Sequence, residues 1–145
     1  MKKILVAIES CETVTIASPI MQHALELATA FASKVWLLHV APPLREPPYN
    51  VDSKMTRHET AVELHNEHDF LQYLARCMQD RDVDAAALLA QGSVIKTILN
   101  ESERLAVDLI LVGCHQHSRL YGALMDSTEE GLLSKCKRPV MFVPG

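Results

Sequence analysis

Two short runs, Lys3–Ile8 (KILVAI) and Pro139–Val143 (PVMFV), are apolar almost throughout and show no alternation of polar and apolar residues. A strand with one wet face alternates, whereas a strand covered on both faces does not. The pattern therefore favours a parallel sheet with helices on both faces over a sandwich. Lys34–Val40 (KVWLLHV) and Asp108–Gly113 (DLILVG) read as two more strands, and the Ala-rich Asp84–Ala90 (DAAALLA) as a fifth, by its place between two helical segments.

The intervening segments carry a helical period. Over Pro19–Phe31, Ile20, Ala24, Leu27, Ala28 and Phe31 recur three and four apart and predict one buried stripe. From about Met55 to Gln79, Leu64, Leu71, Leu74 and Met78 do the same; Val94, Ile98 and Leu105 serve a third helix, and Leu124 to Leu133 a fourth. Strands alternating with helices predict an α/β fold, a single doubly wound domain with right-handed crossovers. At 145 residues and 48% hydrophobic composition, the chain matches one domain, 1–145, with one core, and it shows neither an internal repeat nor a dividing linker. Ala41 to Asn50 holds four of the seven prolines and predicts an extended surface loop.

Charge and cysteine content narrow the function. A net charge of −4 argues against a nucleic-acid footprint. The apolar run Ile4–Ile8 is too short for a signal peptide and no 18-residue apolar stretch occurs, which predicts a cytoplasmic protein without a membrane segment. Cys11, Cys77, Cys114 and Cys136 lie far apart, as thiols in a reducing compartment do, with no zinc or disulfide pattern. Cys11 and Cys114 follow strand ends, where a redox role and inert thiols are the alternatives.

In an open parallel sheet, ligands sit beyond the carboxyl ends of the strands. Here that means Ile8–Cys11, Val40–Pro43, Gln91–Ser93 and Gly113–Ser118. Gly113–Ser127 leads from a strand towards a helix, the right place for a phosphate cradle, but it holds only Gly113 and Gly122 and neither of the common glycine-rich phosphate motifs. Ser127 followed by Glu130 fits a capping box.

KILVAI followed by Glu9 and Ser10, the stretch from Ala24 to Val40 (ALELA…VWLLHV), Gly92, DLILVG and the closing RPVMFVPG stand in an order and spacing that resemble the universal stress protein family along nearly the whole chain. The resemblance implies a five-stranded parallel sheet in the order 3-2-1-4-5 with four helices, a role in the stress response, and a homodimer formed through the last strand, Val140, Met141, Phe142 and Val143. Some members bind ATP with G-x-x-G-(x9)-G-[ST]; laid on this chain, the motif meets Gly113, then Gln116 and Asp126 where glycines belong, then Ser127. Gln116 puts a side chain where backbone should approach phosphate. At an effective dielectric near 20, a like charge such as that of Asp126 about 4 Å from a phosphate costs roughly 4 kcal/mol, as much as a millimolar affinity supplies. Gly113-x-His115-Gln116 and Leu124-Met125-x-Ser127 look instead like the A-type branch, which is regarded as lacking ATP binding.

In ATP-binding relatives an acid at the position of Glu9 faces the adenine end together with the backbone at Val40, so the resemblance marks Glu9, Val40, Gly92, Gly113 and Ser127 as the candidate nucleotide pocket. Two functions stand. One is a non-enzymatic cytoplasmic stress protein that needs no cofactor and acts as a homodimer through contacts with unknown protein partners. The other is a switch that binds an adenine nucleotide, ATP or AMP, through a degenerate phosphate loop. Enzymatic readings lack a Walker lysine, a paired-carboxylate metal motif and a nucleophile elbow.

The seven histidines divide by context. His39, within LLHV, reads as a partly buried structural residue, and His23 as solvated. His58, His65 and His68 share one polar helix face, and His65 and His68, with Asp69, come within reach of one ion. No further ligand converges there, so a solvated or pH-sensitive surface is favoured over a metal site. His115 and His117 flank Gln116 without a nucleophile to serve.

Overall fold

The computed structural model describes residues 1–9, 13–41, 53–114 and 135–144. Five strands, β1 (Lys3–Ile8), β2 (Lys34–Ala41), β3 (Ala85–Gln91), β4 (Leu109–Cys114) and β5 (Val140–Pro144), form one sheet. Every pairing is parallel and the order is β3-β2-β1-β4-β5, as expected. Among the described residues the helices are α1 (Pro19–Phe31), α2 (Ser53–Gln79) and α3 (Val94–Leu105). The expected fourth helix at Leu124–Leu133, the Ser127–Glu130 capping box and the proline-rich loop after Ala41 fall outside the described residues.

Burial explains why β1 does not alternate. Ile4, Val6 and Ile8 enter a core cluster with α1 and α2, while Leu5 and Ala7 enter a second cluster with Ile98 of α3 on the other face. Successive side chains of a strand point to opposite faces, and here both faces are dry. The Ala-rich fifth run is a strand because its partners make it one: it pairs with β2 from Val35↔Ala85 to Ala41↔Gln91, and α2 covers one side of it.

The stripe of α1 keeps the expected Ile20, Ala24 and Ala28, with Leu27 packed against the core, but extends to Met21 and Leu25 and leaves out Phe31. Ile20, Met21, Ala24, Leu25 and Ala28 are buried, while Phe31 is 52% exposed. This helix is apolar around most of its circumference, so periodicity alone does not choose between two adjacent stripes. On α2 the expected Leu71, Leu74 and Met78 are fully buried, and on α3 Ile98 is buried whereas Val94 stays exposed.

Pro19 opens α1 behind Ser18, whose hydroxyl accepts from the Thr15 amide at 2.9 Å. Each described helix is followed by a non-glycine residue in the left-handed region: Ala32 (φ 53°), Asp82 (φ 61°) and Ala106 (φ 51°). The next amide in each case returns to a carbonyl five residues back, Ser33 to Ala28, Val83 to Met78 and Val107 to Ser102. These bonds satisfy carbonyls that a helix end otherwise leaves without partners. At the amino edge of the sheet the Asp108 carboxylate accepts from the backbone amides of Lys2 at 2.7 Å and Lys3 at 3.0 Å. Those two bonds lower its pKa below the ordinary aspartate value.

Candidate functional site

The carboxyl ends of the strands form the edge to which a ligand would come. β1 and β4 are neighbours there while β2 lies on the other side of β1, so the strand order reverses at β1. Register fixes what this edge presents: Ile8 lies beside His39, Ala41 beside Gln91, and Gly113 beside Val143.

Four of the five expected pocket residues fall on this edge. Glu9 follows β1 directly and is half-buried. Val40 is the penultimate residue of β2 and packs on the α3 side of the sheet. Gly92 follows β3, and its amide donates to the Ala41 carbonyl at 3.1 Å. Gly113 lies in β4, and a Cβ added there would meet no atom of the described residues within 4 Å. The fifth, Ser127, lies outside the described residues, together with Gln116, Asp126, His115, His117 and Cys11.

Gly92 is the position where the backbone itself requires glycine. Its φ is +141°, and a Cβ would stand 3.3 Å from Thr97 Oγ1. That conformation lets the chain turn directly from β3 into α3, whose first residue is Val94. The start of α3 is thereby brought to the same carboxyl edge as Glu9 and Gly113, and the amides of a helix start favour an anionic group. The described part of the edge presents the start of α3, half-buried Glu9 and, with respect to the described residues, space beside Gly113.

His39 and Glu67 are a feature that sequence reasoning found only in part. His39 is buried, at 7% exposure, as expected for a structural residue. Its Nδ1 lies 2.8 Å from the Ile8 carbonyl oxygen, and its Nε2 lies 3.4 Å from Glu67 Oε2 on α2. Strand parity places His39 on the same face as Val35 and Leu37; nothing in the sequence distinguishes Glu67 from the other polar residues of α2.

Of the histidine face on α2, His65 is exposed and pairs with Asp69 at 3.3 Å. His65 and His68 line a groove of about 460 Å³ between α2 and the edge strand β3. Among the described residues no group of three or more histidine, cysteine or acidic side chains is arranged to hold a metal ion. Cys77 and Cys136 are free and half-buried, and no described helix is long and apolar enough to cross a membrane.

Comparison with known proteins places this geometry. The sequence model described as the universal stress protein family matches residues 1–144. Among curated protein sequences none matches. Solved structures with the same fold include a protein of that family from Burkholderia pseudomallei, with 23% identity, a TM-score of 0.62, and coverage of 99% of this chain and 96% of the other. The universal stress protein from Archaeoglobus fulgidus in complex with dAMP is 14% identical with a TM-score of 0.61, covering 99% and 98%. A family protein from Arabidopsis thaliana with AMP bound is 17% identical with a TM-score of 0.59, covering 99% and 91%.

Proposed function

The chain belongs to the universal stress protein family, and from that premise we propose that it is a non-enzymatic cytoplasmic protein of the stress response that works as a homodimer joined through β5. The observation that carries the reading is the edge itself. Among the described residues β5 pairs with β4 alone, and it presents Met141 at 37% exposure between half-buried Val140 and Phe142. An edge strand without inward charge, proline-free over Val140–Val143 and apolar, is a template for pairing with another strand, and a second copy supplies an identical one across a two-fold axis. Light scattering at micromolar concentration tests this: a mass about twice 16.1 kDa supports it, and a 16.1 kDa species alone sinks it.

A second reading is favoured by the carboxyl edge. Glu9, Val40, Gly92 and Gly113 share that edge with the start of α3, and structures of the same fold carry dAMP and AMP. In this reading the pocket takes an adenine nucleotide with a short phosphate chain. Gln116 and Asp126 burden a triphosphate more than a monophosphate, because repulsion from Asp126 grows with the number of phosphate charges. Calorimetric titration with AMP and ATP, with and without magnesium, is expected to give heat with AMP and weaker heat with ATP. Silence with both at millimolar ligand would remove this reading while leaving the dimer untouched.

A further inference from the structure

At the edge of the sheet opposite β5, the register fixes where the backbone groups of β3 point. The Val35 amide donates to the Asp84 carbonyl at 2.8 Å and the Gly92 amide to the Ala41 carbonyl at 3.1 Å, so the even-numbered residues of this stretch turn their backbone groups to β2. A residue's amide and carbonyl point to the same side of a strand, and the side alternates along the chain. Ala85, Ala87, Leu89 and Gln91 therefore turn theirs outward, and among the described residues β3 pairs with β2 alone. The Ala85 carbonyl accepts from the Gln79 side-chain amide at 2.8 Å. Ala87 and Leu89 lie farther along, in the groove of about 460 Å³ whose other wall is Leu64, His65 and His68 of α2.

We propose that this groove docks an extended peptide segment of a partner protein, which joins the sheet as a further strand along β3 beside α2. A row of outward backbone groups on an edge strand selects extended chain, because a strand meets donors and acceptors at that spacing. β3 has no charged residue and no proline over Ala85–Gln91, so nothing on it turns such a segment away. A second copy of this chain does not fit. Two β3 strands paired about a two-fold axis are antiparallel and keep both α2 helices on one face. Because α2 lies over β3 more than over β2, the two helix axes would stand about 5 Å apart, where packed helices need about 8–10 Å. The occupant is a segment that brings no covering helix of its own.

Register also sets the chemistry of the segment. Ala87 and Leu89 pack against the cluster beneath α2, whereas Leu88 and Ala90 pack on the other face. Alternate side chains of the docked segment face Leu64, Ala87 and Leu89, where a charge would lose water beside apolar groups. Those positions therefore take uncharged, apolar residues. The β5 joint lies at the far edge of the sheet, so the two surfaces stand or fall separately.

The probe is a set of end-blocked peptides the length of β3, with alanine, valine or leucine at alternate positions, threonine between them and a lysine beyond each end. They are titrated into the full chain and followed by amide NMR. The expected result is saturable binding that shifts the Ala87 and Leu89 amides and slows their hydrogen exchange, with affinity about tenfold or more weaker in Ala87→Pro. That replacement removes an outward donor and leaves the bonds to β2 in place. His68→Trp fills the groove from the helix surface without touching β3; it should weaken binding likewise, and it decides the matter if Ala87→Pro does not fold. No binding at millimolar peptide overturns the proposal, as does binding whose shifts map to β5 or binding that survives the replacements. Slow exchange of the Ala87 and Leu89 amides in the free protein that is lost on dilution would mean that a second copy holds this edge, and would overturn it too.

Discussion

At the scale of single residues, Gly92 and Asp108 hold opposite edges of the sheet by different means. Gly92 works through the conformation it alone tolerates, at φ +141° with 3.3 Å of clearance to Thr97 Oγ1. Gly92→Ala is expected to cost about 1–2 kcal/mol, read from the urea midpoint, because an L side chain there is both strained and crowded. Asp108 works through charge. Its carboxylate accepts two backbone hydrogen bonds, and its pKa is lowered for that reason first. A group whose folded pKa is depressed stabilises above its ordinary value and loses that contribution as pH falls through the lowered one. Unfolding followed from about pH 5 to about pH 2 should therefore show a steeper acid limb in the wild type than in Asp108→Asn, and carboxyl NMR should place Asp108 below an ordinary aspartate. Neither role was fully visible in the sequence. A glycine after a strand marks a turn but not its φ, and an aspartate opening DLILVG gives no sign that it holds the amides of Lys2 and Lys3, which are far away along the chain.

At the scale of elements, strands were more legible than helix faces. The unalternating run of β1 signalled a sheet covered on both sides because burial on both faces leaves no position for a polar residue, and the two core clusters bear this out. On α1 the expected Ile20, Ala24 and Ala28 are buried and Leu27 packs against the core, while Phe31 is exposed: that helix is apolar on more than its buried face, and packing against the sheet, which is a long-range event, selects Met21 and Leu25 over Phe31. Helix ends offer a cleaner test. Ala32 and Ala106 sit in the left-handed region where glycine carries no Cβ penalty. Ala32→Gly and Ala106→Gly should each raise stability by about 0.5–1 kcal/mol in urea unfolding, with Asp82→Gly giving less, since aspartate tolerates that conformation better than alanine. A decrease on either alanine replacement would contradict the account of these ends.

At the scale of the whole molecule, the β-α alternation and the family landmarks together made the sheet order readable before any coordinates. The candidate site was readable only as an edge: Glu9, Val40, Gly92 and Gly113 each stand at or beside a strand's carboxyl end, because parallel strands bring every carboxyl end to one side, but the contact of His39 with Glu67 depends on how α2 lies across the sheet. Assembly is the property on which the proposed function turns. If β5 is the joint, Met141→Asp places a charge on an otherwise apolar edge and should shift the protein to monomer at micromolar concentration while the variant still unfolds in one cooperative urea transition. The most direct test is native mass spectrometry of the freshly purified wild-type chain. The account predicts a species at about twice 16.1 kDa that collapses to 16.1 kDa in Met141→Asp, whereas a wild-type spectrum holding only the 16.1 kDa chain would contradict it.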